Sequence, residues 1–326
     1  TGVIIPDKFM ELAYEDEVCY TFNPHTVYLA YGKYLDDMDM NEMYEQLVDN
    51  PDVKKKKINA RELLVKISQS QKESGYPYIF FKDNANKEHA LKEIGDIKFS
   101  NLCTEIMQLS EVSDINSYYE EDIIRRGISC NLGSLNIATV MENKRIKEAT
   151  KAAIDSLTMV SDLTNIDIVP SIKKANEELH SVGLGAMNLH GFLAKNFIMY
   201  ESKEALDFCN VFFMMINYYS LERSMEIAKE RGETFKDFEK SEYANGNYFN
   251  KYLEKDYLPQ TDKIKELFEG MHIPTREDWE NLKKDVMEHG VYNAYRMAIA
   301  PNQSTSYIMN STASVMPVVD TIEVRE

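Results

Sequence analysis

Asn101-Leu102-Cys103-Thr104-Glu105-Ile106-Met107 is the stretch on which the reading of this chain turns. In an extended segment alternate side chains project to one side. That spacing predicts the amide of Asn101, the thiol of Cys103 and the carboxylate of Glu105 in one row, a hydrogen-bonding group and a base flanking a sulfur. The plainer alternative is a buried Cys serving as a small hydrophobe, the usual condition of an unpaired thiol. The rest of the chain decides between them.

Upstream, residues 7–17 read as a short helix leading into a strand at Val18-Cys19-Tyr20-Thr21-Phe22. Met40, Met43, Tyr44 and Leu47 give helical spacing over 39–48, and Leu63, Leu64 and Ile67 give it over 60–73, ending at Gly75. Tyr76-Pro77-Tyr78-Ile79-Phe80-Phe81 reads as a buried strand. A polar stretch, Lys82 to Lys92, then leads through Ile97-Lys98-Phe99-Ser100 into the opening motif. Downstream, 113–126 is acidic and reads as a surface excursion. Its Tyr118-Tyr119 pair is better explained as part of a solvated loop than as a radical relay. Gly127 to Asn136 reads as a strand and turn, and 145–163 as a long helix stopped before Pro170. Gly183-Leu184-Gly185-Ala186-Met187 begins like a dinucleotide fingerprint but lacks the third Gly, so strand-to-helix packing is the better account. Glu204 to Arg231 is the clearest helix, capped by Ser202 and stopped at Gly232. Phe208, Phe212, Met215, Tyr219 and Met225 form its core stripe, which includes a structural Cys209. Short helices follow at 263–267 and 276–288, and Arg296-Met297-Ala298-Ile299-Ala300 is strand-like. Short strands alternating with longer helices indicate an α/β architecture with parallel strands.

Composition narrows the function classes. The 326 residues carry a net charge of −17, from 54 acidic and 37 basic residues, which disfavours binding nucleic acid by phosphate neutralisation. The one basic run, Lys54-Lys55-Lys56-Lys57, reads as a solvated turn. Hydrophobic content of 44% supports a substantial core. Cysteines occur at 19, 103, 130 and 209 without C-x-x-C spacing, so neither a disulfide scaffold nor a zinc ribbon is expected. The composition fits a reducing cytosol. No H-E-x-x-H pattern and no membrane-length apolar run occurs, and Thr1-Gly2-Val3-Ile4-Ile5-Pro6 does not read as a signal peptide. With no initiator Met, and with Glu323-Val324-Arg325-Glu326 stopping in mid-pattern, the chain reads as a piece of a longer polypeptide or one half of a split gene.

Two further clusters matter. Pro301-Asn302-Gln303-Ser304-Thr305-Ser306 places small amide and hydroxyl side chains after a strand. Such a turn, with a following helix N-terminus, can hold a phosphate through backbone N–H groups. Ordinary helix capping by Ser and Thr explains it equally well. Cys130 alone would be a core thiol, and Asn131 and Gly133 ordinary turn residues.

The conjunction is more specific. Asn101-x-Cys103-x-Glu105, then Ser129-Cys130-Asn131-Leu132-Gly133-Ser134-Leu135-Asn136, then Ala300-Pro301-Asn302-Gln303-Ser304-Thr305-Ser306-Tyr307-Ile308 closely resembles the large subunit of class I ribonucleotide reductase. The text from His180 to Gly191 is most similar to the class Ib form. The resemblance runs through essentially all 326 residues in the family's order. It implies a portion of a ten-stranded α/β barrel made of two five-stranded parallel halves. One barrel domain over 1–326 would carry a central finger loop, about 97–112, and would lack an N-terminal segment and a C-terminal tail.

The same resemblance implies the chemistry. A thiyl radical at Cys103 takes the 3′-hydrogen of a ribonucleoside diphosphate, Glu105 accepts the 3′-hydroxyl proton and Asn101 hydrogen-bonds the sugar hydroxyls. Cys130 matches one member of the cysteine pair that supplies two electrons as the 2′-hydroxyl leaves. Pro301, Asn302, Gln303, Ser304 and Thr305 match the turn that holds the diphosphate. The chain itself would bind no metal. The radical would come from a small subunit with a dimetal (Mn or Fe) tyrosyl radical, and the electrons from a thioredoxin- or glutaredoxin-like dithiol. Large subunits would pair as homodimers in the cytoplasm, without nucleic acid or membrane.

The family's partner for Cys130 lies upstream of Asn101, and Cys19 does not match it. Tyr118-Tyr119 and Tyr218-Tyr219 do not match the family's relay dyad. An incomplete barrel exposes sheet edges, so a complementing segment, in the same polypeptide or a separate chain, is expected. Two other readings are a folded, inactive module serving assembly, and a cysteine hydrolase pairing Cys103 with a distant His. The hydrolase reading leaves Cys130 unexplained.

Overall fold

The computed structural model describes residues 2–320 and 322. Thr1, Thr321 and 323–326, and with them the ending expected in mid-pattern, lie outside the described residues. Contacts divide the chain into two compact units, Thr1–His89 with Asp96–Ser110, and Ala90–Gly95 with Glu111–Glu326.

The first unit runs β1 (Gly2–Ile5), α1 (Asp7–Tyr14), β2 (Val18–Phe22), α2 (Pro24–Tyr31), α3 (Met40–Asp49), β3 (Lys55–Asn59), α4 (Ala60–Ser74), β4 (Tyr78–Phe81) and α5 (Lys82–Lys87). Three of its helices, α2, α3 and α4, begin where short polar side chains satisfy orphan amides. Asn23 accepts from Thr26 N at 3.1 Å, Asp39 from Asn41 N at 2.8 Å and Asn59 from Glu62 N at 2.8 Å. Gly32 and Gly75 end α2 and α4 in the left-handed region, with φ of 66° and 74°, which costs a glycine little. β1 pairs with β4 in parallel, from Gly2↔Tyr78 to Ile5↔Phe81.

β2 and β3 pair antiparallel, from Val18↔Asn59 to Phe22↔Lys55, a departure from the all-parallel expectation. The lysine run is therefore not a turn. Lys55 to Lys57 lie in β3, and the Lys55 ammonium donates to the carbonyls of Leu47, Val48 and Asn50 at the C-terminal end of α3, where the helix dipole favours a cation. The strand read over 76–81 is shorter, starts at Tyr78 and fully buries only Phe80, while the polar stretch after it forms α5. Apolar side chains gather in two small clusters, one around Leu12, Cys19 and Tyr44, the other around Val27, Leu47 and Val53.

The second unit contains β5 (Leu132–Asn136), α6 (Ile137–Glu142), α7 (Ile146–Leu163), α8 (Pro170–Leu179), β6 (Gly183–Met187), α9 (Leu189–Lys195), α10 (Lys203–Arg231), α11 (Asn250–Leu253), α12 (Asp262–Phe268), α13 (Arg276–His289) and α14 (Gln303–Ile308). α10 starts where Ser202 Oγ accepts from Ala205 N at 3.2 Å and stops at Gly232, φ 65°. The expected stripe of Phe208, Phe212, Met215, Tyr219 and Met225 is buried, but so are Val211, Met214, Ile216, Tyr218 and Leu221. A helix apolar on several faces is a core helix, and α7 and α13 pack on it.

β5 and β6 pair in parallel, from Leu132↔Gly183 to Asn136↔Met187. The segment read as a strand at 296–300 makes only an isolated parallel bridge, Leu184↔Met297. A Cβ on Gly185 would stand 2.3 Å from the Ala298 carbonyl oxygen, so the glycine is there for close backbone approach and not for a dinucleotide. Helices with parallel strand pairs in this order accord with part of an α/β barrel. Among the described residues no helix is long and apolar enough to cross a membrane.

Candidate active site

In the first unit the opening motif does not run extended. Thr104 N donates to Asn101 O at 3.1 Å, Ser100 and Met107 form an antiparallel bridge, and Thr104 sits at φ +68°. The segment is therefore a tight loop, and the single row of Asn101, Cys103 and Glu105 is overturned. Asn101 Oδ1 accepts from Ile106 N at 3.1 Å and holds the loop from inside. A β-branched residue at positive φ is a strained conformation, of a kind that gathers at functional sites and costs on the order of 1–3 kcal/mol.

The loop sets out the chemistry in another way. Cys103 is exposed, so the buried-thiol alternative fails for it. Glu105 Oε2 is buried and has no hydrogen-bond partner among the described residues. A buried carboxylate oxygen left unsatisfied is costly, and a group that brings it a hydroxyl proton removes that cost.

Tyr78 was not anticipated. Its ring lies 5.2 Å from that of Tyr76, and its phenol is pushed above the ordinary value, first by the hydrogen bond to Tyr76 and also by the Cys103 thiol. The only hint in the sequence was the alternation Tyr76-x-Tyr78.

The four thiols sort cleanly. Cys103 and Cys130 are exposed, Cys19 is buried and Cys209 partly so. Burial pushes both interior thiols up, with hydrogen bonds to Tyr44 and Tyr20 opposing it at Cys19. Thiolate chemistry is thereby suppressed at both.

In the second unit Cys130 stands just before β5. Asn131 is structural, its Nδ2 donating to Leu157 O at 2.8 Å while its carbonyl accepts from Gly183 N at 2.8 Å. Upstream, Arg126 Nε bonds Glu111 Oε2 at 2.7 Å. Burial would raise the Glu111 carboxyl, but the hydrogen bond and charge of Arg126 outweigh it and hold the group below its usual value.

The 301–305 segment does not follow the capping reading. Asn302 takes a left-handed conformation, φ 55°, as the residue before α14, and Gln303, Ser304 and Thr305 form the exposed first turn of that helix. Ser304 and Thr305 lie inside the helix and cap nothing. Asn302 makes no capping bond either, because its Nδ2 donates to Ser134 Oγ at 2.7 Å in β5. Asn302 Oδ1 is buried and has no partner among the described residues. A helix start with free amides behind a left-handed residue can face an anion. Sequence reasoning missed Ser134, which resembled any other turn serine. Among the described residues no group of three or more His, Cys, Asp and Glu could hold a metal ion.

A family model for the ribonucleotide reductase barrel domain matches residues 1–326. The chain belongs to that family. Among curated proteins it is similar to the ribonucleoside-diphosphate reductase subunit alpha of Bacillus subtilis (strain 168), 59% identical over 324 residues, covering 99% of this chain and 46% of the relative. The Mycoplasma pneumoniae subunit alpha is 44% identical over 331 aligned residues, 100% of this chain and 46% of that protein. For the Treponema pallidum subunit alpha the identity is 30% over 336 aligned residues, 98% of this chain and 37% of the relative. The chain thus spans about half the length of the curated relatives it matches most strongly. Within a reductase barrel, the exposed thiols at 103 and 130 and the Asn302 turn are the positions that the sequence motifs single out.

Proposed function

We propose that this chain is the catalytic portion of a class Ib-type ribonucleoside-diphosphate reductase, converting ribonucleoside diphosphates to 2′-deoxyribonucleoside diphosphates. What carries the reading is the Cys103 loop: an exposed thiol two residues from a carboxylate whose buried oxygen has no partner among the described residues, in a member of the reductase barrel family. Cys103 as a thiyl radical takes the 3′-hydrogen atom and later returns it. A thiol suits this because its S–H bond is close in strength to the ribose C–H bond. Glu105 accepts the 3′-hydroxyl proton, a general-base role for which its unsatisfied oxygen is prepared. Asn101 hydrogen-bonds the sugar hydroxyls while its Oδ1 holds the loop. The 2′-hydroxyl leaves as water with one proton, and two electrons come from a pair of thiols that closes to a disulfide. Cys130 is one of them. Pro301, Asn302, Gln303, Ser304 and Thr305 face the diphosphate through the start of α14.

The reading includes parts beyond this chain. They are a complementing segment of the large subunit, a small subunit whose dimetal (Mn or Fe) tyrosyl radical supplies the oxidising equivalent, and a thioredoxin- or glutaredoxin-like dithiol that reopens the disulfide. It also includes pairing of large subunits as homodimers in the cytoplasm. Both compact units belong in this reading to one barrel domain with the finger loop at about 97–112. Coverage of residues 1–326 by a single barrel-domain model supports that. The test is Cys103→Ser in the assembled enzyme, with deoxyribonucleotide formation measured. Loss of turnover with substrate binding retained supports the assignment, and substantial remaining turnover sinks it.

A further inference from the structure

Arg296 is the residue whose placement the proposed chemistry does not explain. It is 4% exposed, and every acceptor it finds is neutral. Nη1 donates to Ser220 Oγ at 2.7 Å and Asn217 O at 3.2 Å. Nη2 reaches Tyr248 OH at 3.1 Å, and Asn217 Oδ1 and Tyr243 OH at 3.3 Å each. Nε has no partner among the described residues. A guanidinium buried in this way is weak evidence for stability, and specificity of geometry is the best-attested use of such a group.

The geometry at stake is strand register. Residues 294–298 run beside β6 on few backbone bonds: Val182 N to Tyr295 O at 2.9 Å, Leu184 N to Arg296 O at 2.8 Å and Ala298 N to Leu184 O at 3.1 Å. Arg296, Ala298 and Ala300 are buried, while Met297 and Ile299 are only partly so. This is the period-2 alternation of a strand. A slip of one residue would turn the guanidinium to the opposite face and away from Asn217, Ser220 and both tyrosines. It would also move Asn302 along the chain by about 3.3 Å, away from Ser134 Oγ. The ladder is short and three alanines, Ala294, Ala298 and Ala300, share Arg296's face, so within 294–300 the arginine is the side chain with the most polar contacts to lose by a slip.

We propose that Arg296 is a positioning residue: its buried network locks the register of residues 294–300 and so fixes where the Asn302 turn and the start of α14 meet a diphosphate. The ligand's identity rests on the proposed function. The register lock does not.

Two readouts separate these. In this chain, hydrogen exchange of peptides spanning 296–302 is compared between wild type, Arg296→Met and Arg296→Lys, with β5 as internal reference. Arg296→Met is expected to speed exchange at 296–302 by about 10-fold or more and leave β5 within about twofold, with Arg296→Lys in between. In the assembled enzyme Arg296→Met is expected to raise KM for a ribonucleoside diphosphate roughly 10-fold, with kcat within about twofold. Unchanged exchange at 296–302, or a fall in kcat at constant KM, overturns the positioning role. If Arg296→Met does not fold, Tyr243→Phe/Tyr248→Phe removes two acceptors and keeps the packing. The same selective exchange is then expected, and its absence equally overturns the proposal. A wild-type assembly that shows the exchange pattern in its variants but does not reduce ribonucleoside diphosphates overturns the proposed function and leaves the register lock standing.

Discussion

The unit carrying Cys103 closes around two small apolar clusters beside a cavity of about 550 Å³ lined by Ile5, Phe9, Cys19, Phe22, Met40 and Tyr44, among others, while the other unit has a pocket of about 450 Å³ beside Asn188 and Gly191. The unit carrying Cys130 and Asn302 closes around one continuous core on α10, with Phe208, Phe212, Tyr219 and Trp279 fully buried. In the first unit the candidate site is shaped by bonds within the loop, namely Thr104 N to Asn101 O and Ile106 N to Asn101 Oδ1. In the second it is held by long-range contacts, Asn302 with Ser134 and Arg296 with α10. Loose packing lowers the free energy of local opening. The thiol proposed to meet substrate and return its hydrogen therefore lies in the unit with the smaller apolar clusters, and the residues proposed for the diphosphate lie in the denser one.

The largest expected effect separates chemistry from packing. Cys103→Ser should lower turnover of the assembled enzyme by at least about 10³-fold, with stability by urea unfolding unchanged within about 0.5 kcal/mol, because the side chain is exposed. Next, Phe212→Ala in the dense core should cost about 3–5 kcal/mol, and Leu47→Ala in the first unit should fall toward the lower end of the ~2–5 kcal/mol range for such truncations. Equal costs would break the contrast between the units. Smaller again is Asp207→Asn. The buried Asp207 carboxylate accepts from Gln260 N, from Thr261 N at 2.7 Å and from Thr261 Oγ1 at 2.8 Å, holding the start of α12 against α10. Losing that charge should cost about 1.5–3 kcal/mol, seen as a lower denaturation midpoint.

The smallest effect is a pH slope in the dense unit. The His180 imidazole, stacked on Tyr292 at 4.1 Å, is pushed below the ordinary histidine value. Burial is the chief cause, and Glu233 and Asp162 oppose it. With the folded value below the unfolded one, the unfolded chain binds more protons between the two. His180 therefore contributes stability that is fully present above its unfolded value near 6.5 and is lost as pH falls through the folded value. His180→Asn tolerates the left-handed backbone at φ 47° and should flatten the stability–pH curve just below pH 6.5. An unchanged slope would assign that pH dependence to other groups.

Legibility in the sequence followed the range of the interactions. α3, α4, α7, α10, α12 and α13 were readable within a few residues because caps, periodicity and stop signals act over a turn or two. The lysine run was misread because its strand partner, Val18 to Phe22, lies more than thirty residues away in sequence. The strand at 296–300 was half right: the side-chain alternation is there, but the ladder that defines a strand is reduced to one bridge. The Ser and Thr of 304–305 resembled caps because capping residues are recognised by type, whereas the helix start was decided by Asn302 reaching Ser134.

The sequence by itself determined the residue types of the site and their order, and with them the family, because three short motifs in register are a local record that needs no folding to read. It also determined the helices with clear periodicity and stop signals, α3, α4, α7, α10, α12 and α13, for the same reason of locality, whereas α2, α5, α6, α8, α9 and α11 are not legible in it. Only the tertiary structure decided that Asn101, Cys103 and Glu105 lie on a strained loop and not in a row, because the chain turns back within the segment to bring Ser100 against Met107, with Thr104 at positive φ. It alone decided which thiols are exposed. It also placed Arg296 in the core, since the polar partners of a buried charge come from α10 and the 243–248 segment, more than forty residues away in sequence.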